Sequence, residues 1–166
     1  MQDLQATPDY RIPIRQLLLR PDEKRAVSVR IDTETAAQYG LTCQAPAAVD
    51  AVLENRAGVL MLHTDVHCTL MHECDRCLSP VSYEMDEHFS HIIVTETADA
   101  QNDAEYLLAP DAMLDLAEAA MTDLRLSVPS RILCAPDCRG LCPQCGQNLN
   151  LGQCSCGSDA VTLSFE

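Results

Sequence analysis

The chain has 166 residues, 47% of them hydrophobic, which fits one domain or one domain with a small appendage and excludes a wholly disordered polypeptide. Acids outnumber bases 25 to 11, a formal charge of −14 that repels a phosphate backbone unless the cations are concentrated together. Four Tyr, two Phe and no Trp argue against a base-stacking platform, and no apolar run approaches the roughly 20 residues that a bilayer needs.

The first nine residues, Met1 to Asp9, lack the basic stretch and long apolar run of a secretory signal. A cytoplasmic location is therefore expected. Six cations follow before residue 31: Arg11, Arg15, Arg20, Lys24, Arg25 and Arg30, against Asp3, Asp9, Asp22 and Glu23. They read either as a solvated face with local ion pairs or as an arm that contacts a partner.

Period-two alternation marks a succession of half-buried strands. Tyr10, Ile12 and Ile14 alternate first, then Val27, Val29 and Ile31, then Ala47, Val49, Ala51 and Leu53. Asn55-Arg56-Ala57-Gly58 reads as a hairpin turn, with Gly supplying any positive φ. On the return strand Leu60, Leu62, Val66, Cys68 and Leu70 share one face, while His63, Asp65 and His67 point the other way. Val81, Tyr83, Met85, Phe89 and Ile93 form the apolar face of a further strand, and Cys74-Asp75-Arg76-Cys77 sits at the tip between the two.

Thr95 to Glu105 is a polar, acidic loop. Asp111 is placed to cap a helix near residues 112–126, with Leu114, Ala117, Met121 and Leu124 along one side and Pro129 ending it. The expected fold is α+β. Residues 1–130 form an antiparallel β-sheet body, barrel-like if it closes, with that one main amphipathic helix. Residues 131–166 form a loop-rich zinc-binding module docked on the hairpin that carries Cys74 and Cys77.

Ten cysteines in a reducing compartment point to metal rather than disulfides. Zinc takes four ligands in a tetrahedron, and close cysteine pairs wrap such an ion. Cys142-Pro-Gln-Cys145-Gly146 followed by Cys154-Ser-Cys156 can close one site locally. Cys134 and Cys138 need a second pair, and Cys74 with Cys77 is the close pair left. The leading assignment is two structural zinc ions, one on Cys74, Cys77, Cys134 and Cys138, the other on Cys142, Cys145, Cys154 and Cys156. The alternative joins Cys74 and Cys77 to Cys142 and Cys145. Other readings are a single site, inert thiols or disulfides, and an iron–sulfur cluster. Each metal site contributes on the order of 10 kcal/mol to folding, which matters where residues 131–158 hold almost no large apolar side chains.

Enzymatic chemistry finds little support. A redox Cys-x-x-Cys pair needs a helix N-terminus, yet Ser79-Pro80 and a strand pattern follow Cys77. Four-thiolate sites are closed, whereas catalytic zinc keeps an open position. His63, Asp65 and His67 lack an evident fourth ligand and read as a solvated face, and Cys68 lies on the apolar face. With six Gly in the chain there is no phosphate-binding glycine loop.

Cys74-Asp-Arg-Cys77-Leu78, the later Leu114-Asp115-Leu116, and the run Cys134-Ala-Pro-Asp-Cys138-Arg-Gly-Leu-Cys142-Pro-Gln-Cys145-Gly-Gln-Asn-Leu-Asn150 resemble, in order and spacing, the YceD family of large ribosomal RNA subunit accumulation proteins. The resemblance implies a bacterial or plastid factor without known catalysis, linked to synthesis, processing or stability of 23S ribosomal RNA. It implies a partner in the large ribosomal subunit or its precursor particle. The chain's acidity favours a basic ribosomal protein over bare RNA, with any 23S contact local and made through Arg11 to Arg30. Two other readings stand beside it: a thiol-redox protein or sensor using Cys74 and Cys77, and a zinc-stabilised adaptor unrelated to ribosomes. One departure is visible, since family tails continue into an Asp-Pro-Arg and a basic stretch where this chain runs Gly157 to Glu166.

Overall fold

The computed structural model describes residues 9–96 and 106–156. The acidic loop beyond Glu96 and the departing tail from Gly157 lie outside the described residues. The chain divides into two units. The first is Met1–Leu70 with Glu84–Val128, and the second is Met71–Tyr83 with Pro129–Glu166.

In the first unit the short strand β1 (Arg11–Pro13) leads into a single helical turn, α1 (Arg15–Leu19), and then β2 (Lys24–Ile31) and the short helix α2 (Thr33–Gln38). β3 (Ala47–Arg56), β4 (Val59–Glu73) and β5 (Pro80–Val94) are the long strands, followed by β6 (Tyr106–Leu108), β7 (Met113–Asp115) and helix α3 (Leu116–Ser127). The alternating pattern translates directly into burial. Ala47, Val49, Ala51 and Leu53 of β3 and Leu60, Leu62, Val66, Cys68 and Leu70 of β4 all face inward. Ile12, Ile14 and Leu17 from the N-terminal elements and Leu116, Ala120, Met121 and Leu124 from α3 complete this core.

The five-stranded sheet runs in the order β2-β3-β4-β5-β6. It is not purely antiparallel as expected, because β5 and β6 pair in parallel, with Ile92 opposite Tyr106 and Val94 opposite Leu108. Parallel neighbours need a long connection instead of a hairpin, and a three-residue strand shows no alternation to read. Nor does the sheet close: among the described residues β2 and β6 stand at its two edges. A second, two-stranded sheet pairs β1 with β7.

The helix also begins later than expected. Asp111 and Ala112 both adopt φ of 56°, so Asp111 caps nothing. Asp115 is the N-cap, its carboxylate accepting the Glu118 N–H at 3.0 Å. Leu114 is buried from strand β7, so its fit to the helical stripe was a coincidence of spacing. The short helices α1 and α2 were not expected at all. α2 is set by Asp32, whose carboxylate accepts the Thr35 N–H at 2.8 Å and the Tyr10 hydroxyl at 2.9 Å.

The β3–β4 turn is tighter than the four residues expected. Arg56 faces Val59 directly, leaving Ala57 and Gly58 as a two-residue turn with φ of 52° and 92°. Asn55 is instead a buried polar node. Its Nδ2 donates to the Leu17 carbonyl at 2.7 Å and its Oδ1 accepts the Gly58 N–H at 2.9 Å, tying α1 to the hairpin.

Candidate metal centre

The second unit contains two knuckles built alike. In the first, the Cys74 N–H donates to the Ser79 carbonyl at 2.8 Å and the Leu78 N–H donates to the Cys74 carbonyl at 2.9 Å. In the second, the Cys142 N–H donates to the Gln147 carbonyl at 2.8 Å and the Gly146 N–H to the Cys142 carbonyl at 2.9 Å. In both, the residue after the second cysteine is left-handed, Leu78 at φ 57° and Gly146 at φ 73°. This turn leaves backbone N–H groups directed at the first sulfur, which is what thiolate ligands require.

Local bonds bring the remaining cysteines in. Asp75 and Ile132 exchange a pair of hydrogen bonds, and the Arg76 guanidinium donates to the Cys138 carbonyl at 2.7 Å. Gly140, at φ 77°, lets the chain pass under Arg76, since a Cβ there would stand 3.0 Å from the Arg76 carbonyl oxygen. Cys74, Cys77 and Cys138 are buried together, with Val81, Leu133 and Leu141 packed against them.

The eight sulfurs fall into two sets, Cys74 with Cys77, Cys134 and Cys138, and Cys142 with Cys145, Cys154 and Cys156, each within 4.8 Å of one another. The crossed pairing is not what the fold assembles. A tetrahedral ion with sulfur at about 2.3 Å needs sulfur–sulfur edges of about 3.8 Å. Cys74–Cys138 is 3.7 Å, Cys77–Cys134 is 3.5 Å and Cys142–Cys154 is 3.5 Å. These spacings fit one ion per set. An iron–sulfur cluster spreads its thiolates over several irons, so the compact sets suit it less well.

Electrostatics favour ionised sulfur at the first position of each knuckle. Burial opposes charge on Cys74, but N–H groups of Arg76, Cys134 and Cys77 outweigh it and hold the thiol down to about 6. The N–H groups of Cys145 and Gln144 hold Cys142 down to about 6 likewise. Ser79 lowers Cys77. Cys134 is pushed up to about 12 by its bonds to Cys77 and Cys138, and Cys156 to about 12 by its bond to Cys145. Each set thus shares protons that a bound dication would displace.

Three supporting side chains had no assigned role in the sequence. Ser79 Oγ lies 3.3 Å from Cys77 Sγ, Asn148 Nδ2 donates to that hydroxyl at 3.3 Å, and Asn150 Nδ2 lies 3.3 Å from Cys138 Sγ. Asn148 and Asn150 fall within the motif already quoted, and amides amid a cysteine-rich run are the signal that could have found them.

The six N-terminal cations are all exposed. Arg11 pairs with Asp9 at 3.6 Å and Arg20 with Glu23 at 3.4 Å, while Arg25 donates to the Pro13 carbonyl. Lys24 stands opposite Glu54, and Arg30 lies six residues further along β2, with Arg15 on α1. Cys43 and Cys68 are buried in the first unit and belong to neither sulfur set. Among the described residues no helix is long and apolar enough to cross a membrane.

Comparison with known proteins gives a consistent picture. Uncharacterized proteins of Mycobacterium tuberculosis and Mycobacterium bovis are 34% identical over 92 residues, 54% of this chain and 44% of theirs. A maize protein, described as large ribosomal RNA subunit accumulation protein YCED homolog 1, chloroplastic, is 22% identical over 171 residues, 84% of this chain and 58% of its own. The chain thus spans about half the length of the curated relatives it matches. No solved structure matches it. Residues 62–166, the hairpin pair and both sulfur sets included, match the family described as large ribosomal RNA subunit accumulation protein YceD, and the chain belongs to that family.

Proposed function

We propose that this chain is a non-enzymatic zinc-binding factor of ribosome biogenesis. It supports synthesis, processing or stability of 23S ribosomal RNA from the cytoplasm, through a basic protein of the large subunit or its precursor particle. The observation that carries this reading is the pair of closed four-thiol sets in a chain of this family. All four corners of each set are protein sulfur, which leaves no open position for a substrate or an activated water. Bound zinc would supply structural cross-links there, held by the eight cysteines named above.

The partner reading rests on charge. The chain carries a net −14, and of the cations that would grip RNA Arg11 and Arg20 are ion-paired. A basic protein is complemented by such a surface, whereas phosphate is repelled. The redox alternative is disfavoured by the position of Cys74, at the end of β4 and not at a helix N-terminus.

The test uses the tagged full chain, purified with and without ribonuclease. Two zinc ions per chain and a ribonuclease-resistant basic protein of the large subunit are the expected results. A metal-free chain with reactive Cys74 and Cys77 thiols would overturn the zinc reading. Capture that disappears with ribonuclease, or 23S binding with a steep salt dependence unaffected by neutralising the six N-terminal cations, would overturn the protein-partner reading.

A further inference from the structure

The sequence placed His63, Asp65 and His67 on one strand face without a fourth ligand. The structure composes the group differently, bringing in His88 and Ser90 from β5. His88 Nδ1 lies 2.8 Å from Asp65 Oδ1, and its Nε2 lies 3.4 Å from Ser90 Oγ. The same hydroxyl is 2.7 Å from His63 Nδ1. The two rings stack with centroids 6.1 Å apart and planes inclined by 11°. One nitrogen of each imidazole therefore lies within hydrogen-bond distance of the same hydroxyl, Ser90 Oγ.

The surroundings suit a cation there. The Asp65 carboxylate accepts a hydrogen bond from His88 Nδ1–H, an arrangement that leaves the lone pair of the neutral ring on Nε2; a carboxylate behind the distal nitrogen is the usual support of a metal-bound histidine. Asp50 stands directly opposite Asp65 across β3 and β4. Two carboxylates facing each other are mutually unfavourable, and a nearby positive charge offsets that. His67, two residues along β4 from Asp65, forms no hydrogen bond to this group among the described residues.

We infer that His63 Nδ1 and His88 Nε2 form a binding site for an imidazole-preferring transition-metal dication, with Ser90 Oγ and water filling the remaining positions. Nickel, copper(II) and zinc are the ions of that preference. The site goes beyond the sulfur sets in kind. His88 and Asp65 are largely exposed, with 58% and 68% of their side-chain surface accessible, so the ion exchanges with solvent instead of being locked in. It also differs from them in ligand hardness, which lets nickel be used as a probe while zinc remains on sulfur.

The experiment titrates Ni²⁺ at neutral pH into the full chain with both sulfur sets filled with zinc, following bound nickel by equilibrium dialysis and retained zinc by elemental analysis. One further equivalent of nickel is expected with zinc content unchanged. H63A and H88A should each abolish it, D65N should weaken it by about 10-fold, and H67A should leave it as in the parent chain. These positions lie on an open sheet face, so the variants fold, and circular dichroism verifies it. Nickel binding that survives H88A, that is lost equally in H67A, or that occurs only as zinc is displaced would overturn the assignment.

Discussion

Cys138→Ala removes one corner of the first sulfur set and asks what orders the segment that follows Pro129. Apart from the bonds at the sulfurs, the structure offers four hydrogen bonds between that segment and the first knuckle. They are the Asp75–Ile132 pair, Arg76 to the Cys138 carbonyl, and the Leu141 N–H to the Arg76 carbonyl. At about 1 kcal/mol net each they contribute about 4 kcal/mol. Ordering the thirteen residues Pro129–Leu141 costs on the order of 13 kcal/mol at about 1 kcal/mol per residue. A four-thiolate zinc site supplies on the order of 10 kcal/mol, which brings the two sides level; without it the segment is not held. On the proposed reading, the variant is therefore expected to bind one zinc ion and the parent chain two. Hydrogen exchange followed by mass spectrometry should show protection lost from Ser130 to Leu141, while Leu60, Leu62 and Val66 in β4 keep theirs. A variant that keeps both ions, or that loses one with exchange unchanged, would refute the reasoning.

Asn55→Leu strands the Gly58 N–H and leaves the Leu17 carbonyl only the long 3.4 Å bond from the Arg20 N–H, and should cost about 2–3 kcal/mol in chemical denaturation; a loss below about 1 kcal/mol would mean these bonds are dispensable. Gly146→Ala meets no atom within 4 Å, so its effect is purely the left-handed φ of 73°. It should weaken zinc retention against a chelator by about 5-fold, the equivalent of about 1 kcal/mol, whereas Leu78→Gly at the matching turn should not weaken it. Thr35 holds the Asp32 carboxyl at about 2, against an ordinary 3.8. Because the folded value is the lower one, its support of α2 is complete above about pH 4 and is lost as pH falls through about 2. Amide signals of Thr33–Gln38 should report that loss in the parent chain, and an identical acid profile in D32N would contradict it.

Most of the framework was legible because it rests on short-range regularities. The long strands show alternation over many residues, and burial of one face follows from the pleat whatever their neighbours are. The sulfur sets were legible because metal chemistry demands close cysteine pairs, and the local set at Cys142–Cys156 left few partners for the rest. What escaped depends on context. β6 has three residues, too few for a pattern, and its parallel pairing depends on where the chain returns. Asn55 looked like a turn residue because asparagine commonly is one, and only the arrival of α1 beside the hairpin makes it a buried bridge. Asp111 and Asp115 are equally good caps on paper. The β1–β7 pairing, which holds Met113–Asp115 extended, decides between them. His88 joined Asp65 only through the register of two strands, which the sequence does not state.

Charge distribution bears on the proposed partner in a way that the total alone does not. In the second unit the five acids Glu73, Asp75, Asp137, Asp159 and Glu166 stand against Arg76, Arg131 and Arg139, a net of −2 before its sulfurs are counted. Nearly all of the excess acid lies elsewhere in the chain. A loaded sulfur set carries four thiolates and one dication, a net of about −2, so two filled sets keep an already acidic unit negative and deepen that charge. Arg76 is meanwhile committed to the Cys138 carbonyl. On the proposed reading, metal loading then does two things at once: it orders Pro129–Leu141 and it strengthens, in the unit that holds that segment, the negative charge that attracts a basic protein and repels phosphate. An RNA-binding module would need the opposite sign. Raising salt should therefore weaken the partner's association with the zinc-loaded chain more steeply than with a chain whose second set is removed by Cys142→Ala and Cys145→Ala. Equal salt slopes for the two chains would show that the sulfur sets contribute order but not charge to recognition.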